Sequence, residues 1–309
     1  MRFLVIFMCV GAIFANEILI EKAIEAGLAP LELKQTPPPR SQVELGKKLF
    51  FDTRISNTNT ISCNSCHNLA LGGSNAIPTT PPFGINVPTI FNAESSAEFA
   101  KKHLQAHITG TLTQTSTALP AKIGAFPQYI VEFKKAYGNN VKIDFELILS
   151  ALGAFQATLK TQSRYDDFLR GNIKAMNNAE IEGFEIFIKK GCAKCHSGAN
   201  LGGAVMKFEE ISAYKFSKNF KKGEVIKVPI LRNITQSAPY LKSGKIASLK
   251  DAIALMTKQN ETLNETEIAK LEAFFKTIEG KKPNITYPEL PTEQILRFTE
   301  SQSKQWREL

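Results

Sequence analysis

The stretch Cys63-Asn64-Ser65-Cys66-His67 determines how the rest of this chain is interpreted. Two thiols separated by two residues and followed at once by an imidazole form the C-x-x-C-H pattern of covalent c-type haem attachment. The thiols bind the haem vinyl groups, and the histidine becomes an axial ligand of the iron. A second copy, Cys192-Ala193-Lys194-Cys195-His196, argues against a redox-active dithiol with a chance histidine. The sequence therefore predicts two haems on one chain.

The length and composition are those of a soluble protein with room for two domains. The chain has 309 residues, of which 43% are hydrophobic and 22% are charged. Residues 1–15 contain Arg2 and then an apolar run too short to span a membrane, which predicts a signal peptide and no stable membrane anchor. Apart from Cys9 in this segment, every cysteine belongs to a haem motif, so no disulfide is expected. We therefore expect an exported protein that resides in the periplasm.

The formal net charge of +9 raises the question of a nucleic-acid partner. The lysines are scattered along the chain, and no arginine-rich run or aromatic-basic array occurs. A solvated basic surface without nucleic-acid binding is the better interpretation, and an acidic or polar redox partner stays open.

Helical periodicity dominates, and no segment shows a clear strand pattern, so the predicted fold class is all-α. Polar residues before apolar repeats predict where the helices begin. These residues are Ser41 with Glu44, Asp144, Asn177 with Glu180, Ser248 with Asp251, and Asn264 with Glu267.

The two haem motifs lie within a longer internal repeat. Leu71-Gly72-Gly73 follows the first motif as Leu201-Gly202-Gly203 follows the second, and Val87–Asn92 parallels Val228–Asn233. Order and approximate spacing are preserved, which predicts internal duplication of a cytochrome c-like unit.

Two packed haem domains are expected from this repeat. We predict an N-terminal haem domain over 16–172 and a C-terminal haem domain over 173–309, whose prolines in 281–309 predict an extended tail that wraps the surface.

The sixth iron ligand decides between electron transfer and binding of a small molecule. For the second haem we predict Met256, on the apolar side of a capped helix, with Met206 as a competitor close after His196. For the first haem, no methionine lies between the motif and Met176.

His103 and His107 are the other donors near the first haem, and their spacing places them on one face of a predicted helix. Iron ligation, acid-base catalysis and a solvated position stay open for both.

With these residues in view, the chain resembles the bacterial di-haem cytochrome c peroxidase family, which includes relatives of the methylamine-utilisation type. The resemblance rests on Leu45–Arg54, Ile61–Gly73, Asn86–Thr89, Val228–Asn233, and Ala238–Tyr240 with Gly244.

The resemblance implies a periplasmic enzyme that reduces hydrogen peroxide to water with electrons from a small cytochrome c or copper protein, often as a homodimer. It implies that His196 and Met256 ligate the haem where electrons enter, and that His67 holds the peroxidatic haem bound to Cys63 and Cys66. It also implies a calcium ion held by the Asn86 side chain and by the backbone carbonyls of Ser237 and Pro239.

The peroxide pocket departs from the family pattern. The family usually has an iron-binding histidine in the segment Pro78–Gly84, which has none here, and the usual Phe-Trp-Asp-Gly-Arg is Phe99–His103. Gln114 is the one candidate for a polar pocket group in 109–117, so His103, His107 and Gln114 are the candidate catalytic residues.

Three functions therefore stay open. They are a peroxidase with an altered pocket, a di-haem electron carrier or redox sensor without efficient turnover, and a haem enzyme that oxidises another substrate with a tyrosine as sixth ligand.

Overall fold

The computed structural model describes residues 15–32, 36–75, 86–93 and 97–291. The described chain is predominantly helical, which confirms the predicted helical class. The helices are α1 (15–25), α2 (Arg40–Phe51), α3 (Cys63–Cys66), α4 (Ala97–Gly110), α5 (Ala118–Gly124), α6 (Pro127–Tyr137), α7 (Phe145–Gln156), α8 (Arg164–Leu169), α9 (Asn178–Lys189), α10 (Phe208–Ile211), α11 (Leu249–Leu255) and α12 (Glu265–Thr277).

The described residues also contain a short antiparallel hairpin that the sequence did not indicate. Strands β1 (Val205–Lys207) and β2 (Val225–Lys227) pair with Met206 opposite Ile226. Each strand is three residues long and exposes a valine, so there is too little alternation for a strand pattern to be visible in the sequence.

The first hydrophobic core lies where α2 packs against α7. At their crossing, a Cβ on Gly46 would come 1.8 Å from the Ala151 carbonyl oxygen, so only glycine permits this contact. Leu45, Leu49 and Phe50 of α2 are fully buried there.

The second hydrophobic core lies where α9 packs against α12. Gly183 occupies the crossing, where a Cβ would come 1.9 Å from the Lys270 carbonyl oxygen. Phe184 and Phe274 stack there with their ring centroids 4.9 Å apart. Helix α1 packs into this second core through Leu19 and Ala23, although it precedes the first core in the chain.

Four of the five predicted helix starts are capped as expected. Asn177 and Asn264 each form a reciprocal capping box with the glutamate three residues on, and the Ser248 hydroxyl accepts from the Asp251 amide. Asp144 caps α7 by accepting from the Leu147 amide at 2.9 Å.

The predicted start of α2 is wrong. The helix begins at Arg40 after Pro39, and no side chain caps it, so Ser41 lies within the first turn rather than before it. Proline fixes its φ near the helical value and fits the end of an extended connector, so the helix starts without a polar cap.

Hydrogen bonds join the two cores at the loops that follow the haem motifs. The buried hydroxyl of Thr161 accepts from Asn92 Nδ2 at 2.6 Å and from Asn233 Nδ2 at 2.8 Å. Asn200 Nδ2 also donates to the Asn92 carbonyl at 2.8 Å. The loops of the first and second motif are therefore in direct contact.

The described part of the C-terminal segment 281–291 contacts the first core. Tyr287 packs edge-on against Phe51, and an Arg54 guanidinium nitrogen donates to the Pro291 carbonyl at 2.7 Å. The predicted signal peptide lies outside the described residues except for position 15.

The domain boundary near 172 and the internal duplication stay predictions.

In the part of the chain that the structure describes, no helix is long and apolar enough to cross a membrane.

Candidate haem-binding sites

The second C-x-x-C-H motif follows directly after α9. Gly191 has φ +74°, in the left-handed region that glycine adopts without strain, and this reverses the chain into a 3₁₀ turn over Cys192–Lys194. The His196 amide then donates to the Cys192 carbonyl at 2.9 Å. This turn holds the two thiols and the imidazole in one compact loop.

A cavity opens beside this loop. It contains about 1010 Å³ of space not filled by protein atoms, including its mouth, and Cys192, His196 and Met256 all line it. Most of the other lining is apolar and comes from α9, α11, α12 and the Val228–Asn233 segment, with Phe187, Leu231, Leu249, Ile253, Leu271 and Phe275 among the contributors. A thiol, an imidazole and a thioether on an apolar cavity are the donors and surroundings that a covalently attached haem requires.

The electrostatics of His196 suit an iron ligand. Burial lowers the pKa of its imidazole to about 4, so the ring is neutral at physiological pH. Nδ1 lies 3.3 Å from the Leu201 carbonyl oxygen, which can only accept, so Nδ1 carries the proton. The lone pair is therefore on Nε2, the atom that can bind iron.

Met256 is the methionine that lies with His196 on this cavity. It is the C-terminal cap of α11 rather than a residue within the helix, because the helix ends at Leu255. The competing Met206 is in β1 and is not part of the cavity lining. Met176 is buried in the second core.

The first motif forms the short helix α3. Ser62 and Ser65 make a reciprocal capping box at its start, and the His67 amide donates to the Cys63 carbonyl at 2.8 Å. His67 Nδ1 lies 3.2 Å from the Pro88 carbonyl oxygen and 3.3 Å from that of Gly73. Both partners are acceptors, so Nδ1 is protonated and Nε2 has the lone pair, as in His196.

Burial also raises the pKa of the motif thiols. The pKa of Cys63 rises to about 12 and that of Cys192 to about 11, mainly through desolvation, and burial raises those of Cys66 and Cys195 too. A dithiol oxidoreductase needs a thiol with a lowered pKa. The thiols therefore fit haem attachment and not disulfide exchange.

Helix α4 brings an imidazole to the first site. The ring centroids of His67 and His107 are 5.8 Å apart, with 52° between the ring planes. His107 Nδ1 lies 3.3 Å from the Thr111 hydroxyl, one turn further along. The side chain of His103 lies outside the described part of the chain, although its backbone belongs to α4.

Gln114 lies in the turn that follows α4. Its backbone amide donates to the Ile108 carbonyl at 3.1 Å, and its side chain is 4% exposed. Among the described residues, Nε2 of Gln114 has no hydrogen-bond partner. A buried amide donor without a protein partner fits a site where another polar group binds.

The predicted calcium ligands lie partly together. Asn86 Nδ2 is 2.7 Å from the Pro239 carbonyl oxygen and 3.1 Å from that of Leu241. The Ser237 hydroxyl, which is not the predicted ligand atom, donates to the Ile234 carbonyl. Within the described ranges, no group of three histidine, cysteine or carboxylate side chains could hold a metal.

Sequence reasoning missed a buried ion pair behind the second site. Arg232 and Asp166 are both completely buried and joined by two parallel hydrogen bonds, and Arg232 Nε donates to the Ala199 carbonyl at 2.6 Å. Arg232 lies within the repeated segment Val228–Asn233, which was the available signal. Arg232 thereby anchors the loop that follows the second motif at Ala199, three residues beyond His196.

Two C-x-x-C-H sites on a helical scaffold define a di-haem c-type protein. The family model for di-haem cytochrome c peroxidase matches residues 40–174. The cytochrome c551 peroxidase of Pseudomonas aeruginosa is 32% identical over 295 residues, covering 84% of this chain and 85% of that protein. The cytochrome c551 peroxidase of Nitrosomonas europaea is 33% identical over 315 residues, covering 92% of each.

More distant matches agree with this result. The methylamine utilization protein MauG of Methylorubrum extorquens is 27% identical, covering 84% of each chain. A crystal structure of a MauG-like protein associated with microbial copper homeostasis shares the fold, with a TM-score of 0.62 and 21% identity over 82% of this chain and 93% of that one. This chain belongs to the di-haem cytochrome c peroxidase family.

Proposed function

We propose that this protein reduces hydrogen peroxide to water in the periplasm, with electrons from a small cytochrome c or copper protein. One peroxide, two protons and two electrons give two water molecules, so each turnover oxidises two molecules of a one-electron donor. The observation that carries the proposal is the difference between the two sites. The second has a histidine and a methionine on an apolar cavity, and the first has two imidazoles close together.

The bound haems would supply redox-active iron at both sites. At the second site, His196 and Met256 would hold the haem iron, and the apolar lining would exclude water from it. A thioether ligand raises the haem potential, which suits the site of electron entry. Gln114 Nε2, a buried donor without a partner among the described residues, would donate to an oxygen of the substrate if the first haem binds beside it.

Proton movement at the first site is the main difficulty for this function. A positioned acid-base residue contributes about 100- to 10,000-fold to a rate, and the stretch 109–117 contains no carboxylate. His107 is the described imidazole beside His67, and His103 stays a candidate on the same helix. We therefore expect slow turnover compared with a peroxidase that has a carboxylate in its pocket.

The test is steady-state peroxide reduction by purified, calcium-loaded holoprotein with reduced cytochrome c. Oxidation of two donors per peroxide is expected, and the variant His67→Gly should lose turnover while the second haem stays loaded. Failure to oxidise a cytochrome or a copper-protein donor, with both haems loaded, would refute the peroxidase function.

A second candidate is a di-haem electron carrier or redox sensor. The 5.8 Å separation of the His67 and His107 rings favours it, because two imidazoles so close leave little room for peroxide. Such a protein would exchange electrons reversibly with its donor and show no peroxide-dependent turnover.

We also propose a calcium ion at Asn86. Calcium binds amide and backbone carbonyl oxygens at about 2.3–2.6 Å, and turning the Asn86 amide would direct its oxygen towards the Pro239 carbonyl. The Ser237 carbonyl is the third expected ligand. Calorimetric titration with calcium should give one site in the holoprotein and none in Asn86→Ala; equal binding by both would exclude this location.

We propose the same domain organisation that the sequence predicts. Haem domains over 16–172 and 173–309, related by duplication, are supported by a glycine at each helix crossing and by the paired contacts of Asn92 and Asn233 with Thr161. Homodimerisation is a further expectation, which light scattering of the holoprotein would test.

A further inference from the structure

We propose that His107 is the second axial ligand of the iron at the first site, on the opposite face of the haem from His67. The observation is the approach of these two imidazoles in the described structure, with 5.8 Å between the ring centroids. The inference deepens the proposed function and rests on its haem occupancy, but not on peroxide turnover.

The separation of the rings distinguishes ligation from acid-base catalysis. Imidazole nitrogens bind metals such as zinc at about 2.0–2.1 Å, and the ring centre lies roughly 1 Å beyond, so two imidazoles on one metal have centroids about 6 Å apart. A catalytic imidazole must instead leave space for a bound oxygen and a hydrogen bond of about 2.6–3.2 Å, which separates the rings by roughly 9 Å. The observed 5.8 Å agrees with ligation.

The hydrogen bonds of the two rings support the same role. The Pro88 and Gly73 carbonyls hold the proton on Nδ1 of His67, which makes Nε2 the metal-binding atom. On His107, Nδ1 faces the Thr111 hydroxyl, and this oxygen accepts when Nδ1 is protonated. Metal-binding histidines commonly donate their other ring proton in this way.

The backbone of α4 fixes the position of His107. The amides of Thr111 and Leu112 donate to the His107 carbonyl at 2.8 and 3.2 Å, which closes the end of the helix around it. The neighbouring Ile108 is 1% exposed, and it belongs to the same buried cluster as Cys63. His107 is itself partly buried, and its ring lies beside that of His67, so it is not a fully exposed surface residue.

Ligation by His107 would give the first haem a ligand that the segment Pro78–Gly84 does not supply. Two imidazoles stabilise oxidised iron more than a histidine and a methionine do, so the first haem would have the lower potential. Peroxide would reach this iron only after His107 leaves it. The resting protein would then have two closed haems that differ in their sixth ligand.

The test uses spectroscopy of the holoprotein. Mild reduction of the methionine-ligated haem leaves the first haem as the oxidised species that electron paramagnetic resonance detects. The wild type should give a low-spin bis-imidazole signal, and His107→Ala should convert this haem to high spin. Added imidazole should restore the low-spin signal in His107→Ala.

His103→Ala is the matched control, because it removes an imidazole one turn away on the same helix. Its signal should equal that of the wild type. A high-spin first haem in the wild type, or an unchanged low-spin signal in His107→Ala, would overturn the ligation. A spectral change in His103→Ala alone would also overturn it, since the ligand would then be His103.

Two further measurements separate this inference from protein damage and from the peroxidase proposal. Far-ultraviolet circular dichroism and haem content should be equal in wild type and His107→Ala. A bis-imidazole signal that is lost in His107→Ala supports the ligation even if the wild type has no peroxide turnover, and that absence would count against the peroxidase function alone.

Discussion

The buried pair of Arg232 and Asp166 should contribute strongly to stability, and replacing Arg232 by methionine tests this. The guanidinium donates to both Asp166 oxygens and to the Ala199 carbonyl, and the side chains of Arg232 and Asp166 are completely buried. Asp166 also accepts from the Leu31 amide at 2.7 Å and from the Ser163 amide at 2.8 Å. The variant would leave a buried carboxylate and a partly buried carbonyl without this partner.

Removing one member of a buried ion pair costs about 3–5 kcal/mol of the free energy of unfolding. The remaining donors to Asp166 favour the lower part of this range, and the Ala199 carbonyl, which is only partly buried, adds about 1 kcal/mol. Methionine keeps most of the apolar stem, so loss of packing is a small part of the cost. We expect about 4 kcal/mol in total.

Arg164→Met is the matched control. Arg164 also contacts a carboxylate, that of Glu180, through two nitrogens, but its side chain is 50% exposed. Solvent screening limits such a pair to about 1 kcal/mol. The two variants therefore differ mainly in burial.

The assay is equilibrium urea unfolding of the holoprotein, followed by far-ultraviolet circular dichroism, with the haem absorption as a second probe. Arg232→Met should unfold at a clearly lower urea concentration than Arg164→Met. Should Arg232→Met fail to fold, Arg232→Lys retains the charge without the two parallel bonds and should lie between it and the wild type. Equal midpoints for the two methionine variants would refute the reasoning.

Three other predictions follow from the structure. Gly183→Ala should destabilise the holoprotein because its Cβ meets the α12 backbone. Gly153→Ala should stabilise it by about 0.5–1 kcal/mol, because nothing lies within 4 Å of the new Cβ. Urea midpoints that shift in the same direction for both variants would contradict this. Hydrogen bonding from Arg164 lowers the pKa of Glu180, so its contribution to stability is present above the unfolded value near 4.5 and is lost as the pH falls through the lower folded value. The difference in melting temperature between wild type and Glu180→Gln should therefore shrink below about pH 4.5, and a constant difference would exclude this. Met256→Ala should abolish the long-wavelength absorption band of a methionine-ligated oxidised haem, and an unchanged band would rule out Met256 as the ligand.

Local chemistry explains which parts of the fold were predictable from the sequence. The caps at Asn177, Ser248 and Asn264 depend on neighbouring residues only, and they form as expected. The start of α2 was wrong because Ser41 and Glu44 have the right spacing but follow a proline that already begins the helix. A spacing rule identifies a possible cap and does not show whether the helix starts one residue earlier.

The buried faces of the helices were only partly predictable. In α7, helical spacing of the apolar residues predicts a buried face with Leu147, Ala151 and Phe155. Ala151 and Phe155 are buried, but Leu147 is half-buried while Ile148 is completely buried. The face that is buried depends on how α2 crosses α7 at Gly46, and this is a property of the packing and not of the α7 sequence alone.

The candidate sites show the same limit. The attachment motifs are local and were evident, and Met256 could be inferred because few donors exist. The approach of His107 to His67 depends on the direction of α4, and the Arg232–Asp166 pair joins residues 66 positions apart. Neither contact could be recognised from the spacing of residues along the sequence.

The shared hydroxyl of Thr161 has a mechanical consequence. Asn92 and Asn233, which it joins, lie a few residues after Pro88 and Pro229, whose backbones hydrogen-bond to His67 and His196. The two loops that contact these imidazoles are therefore linked through one hydroxyl. A displacement of one loop would be transmitted to the other through a short chain of hydrogen bonds, without crossing solvent.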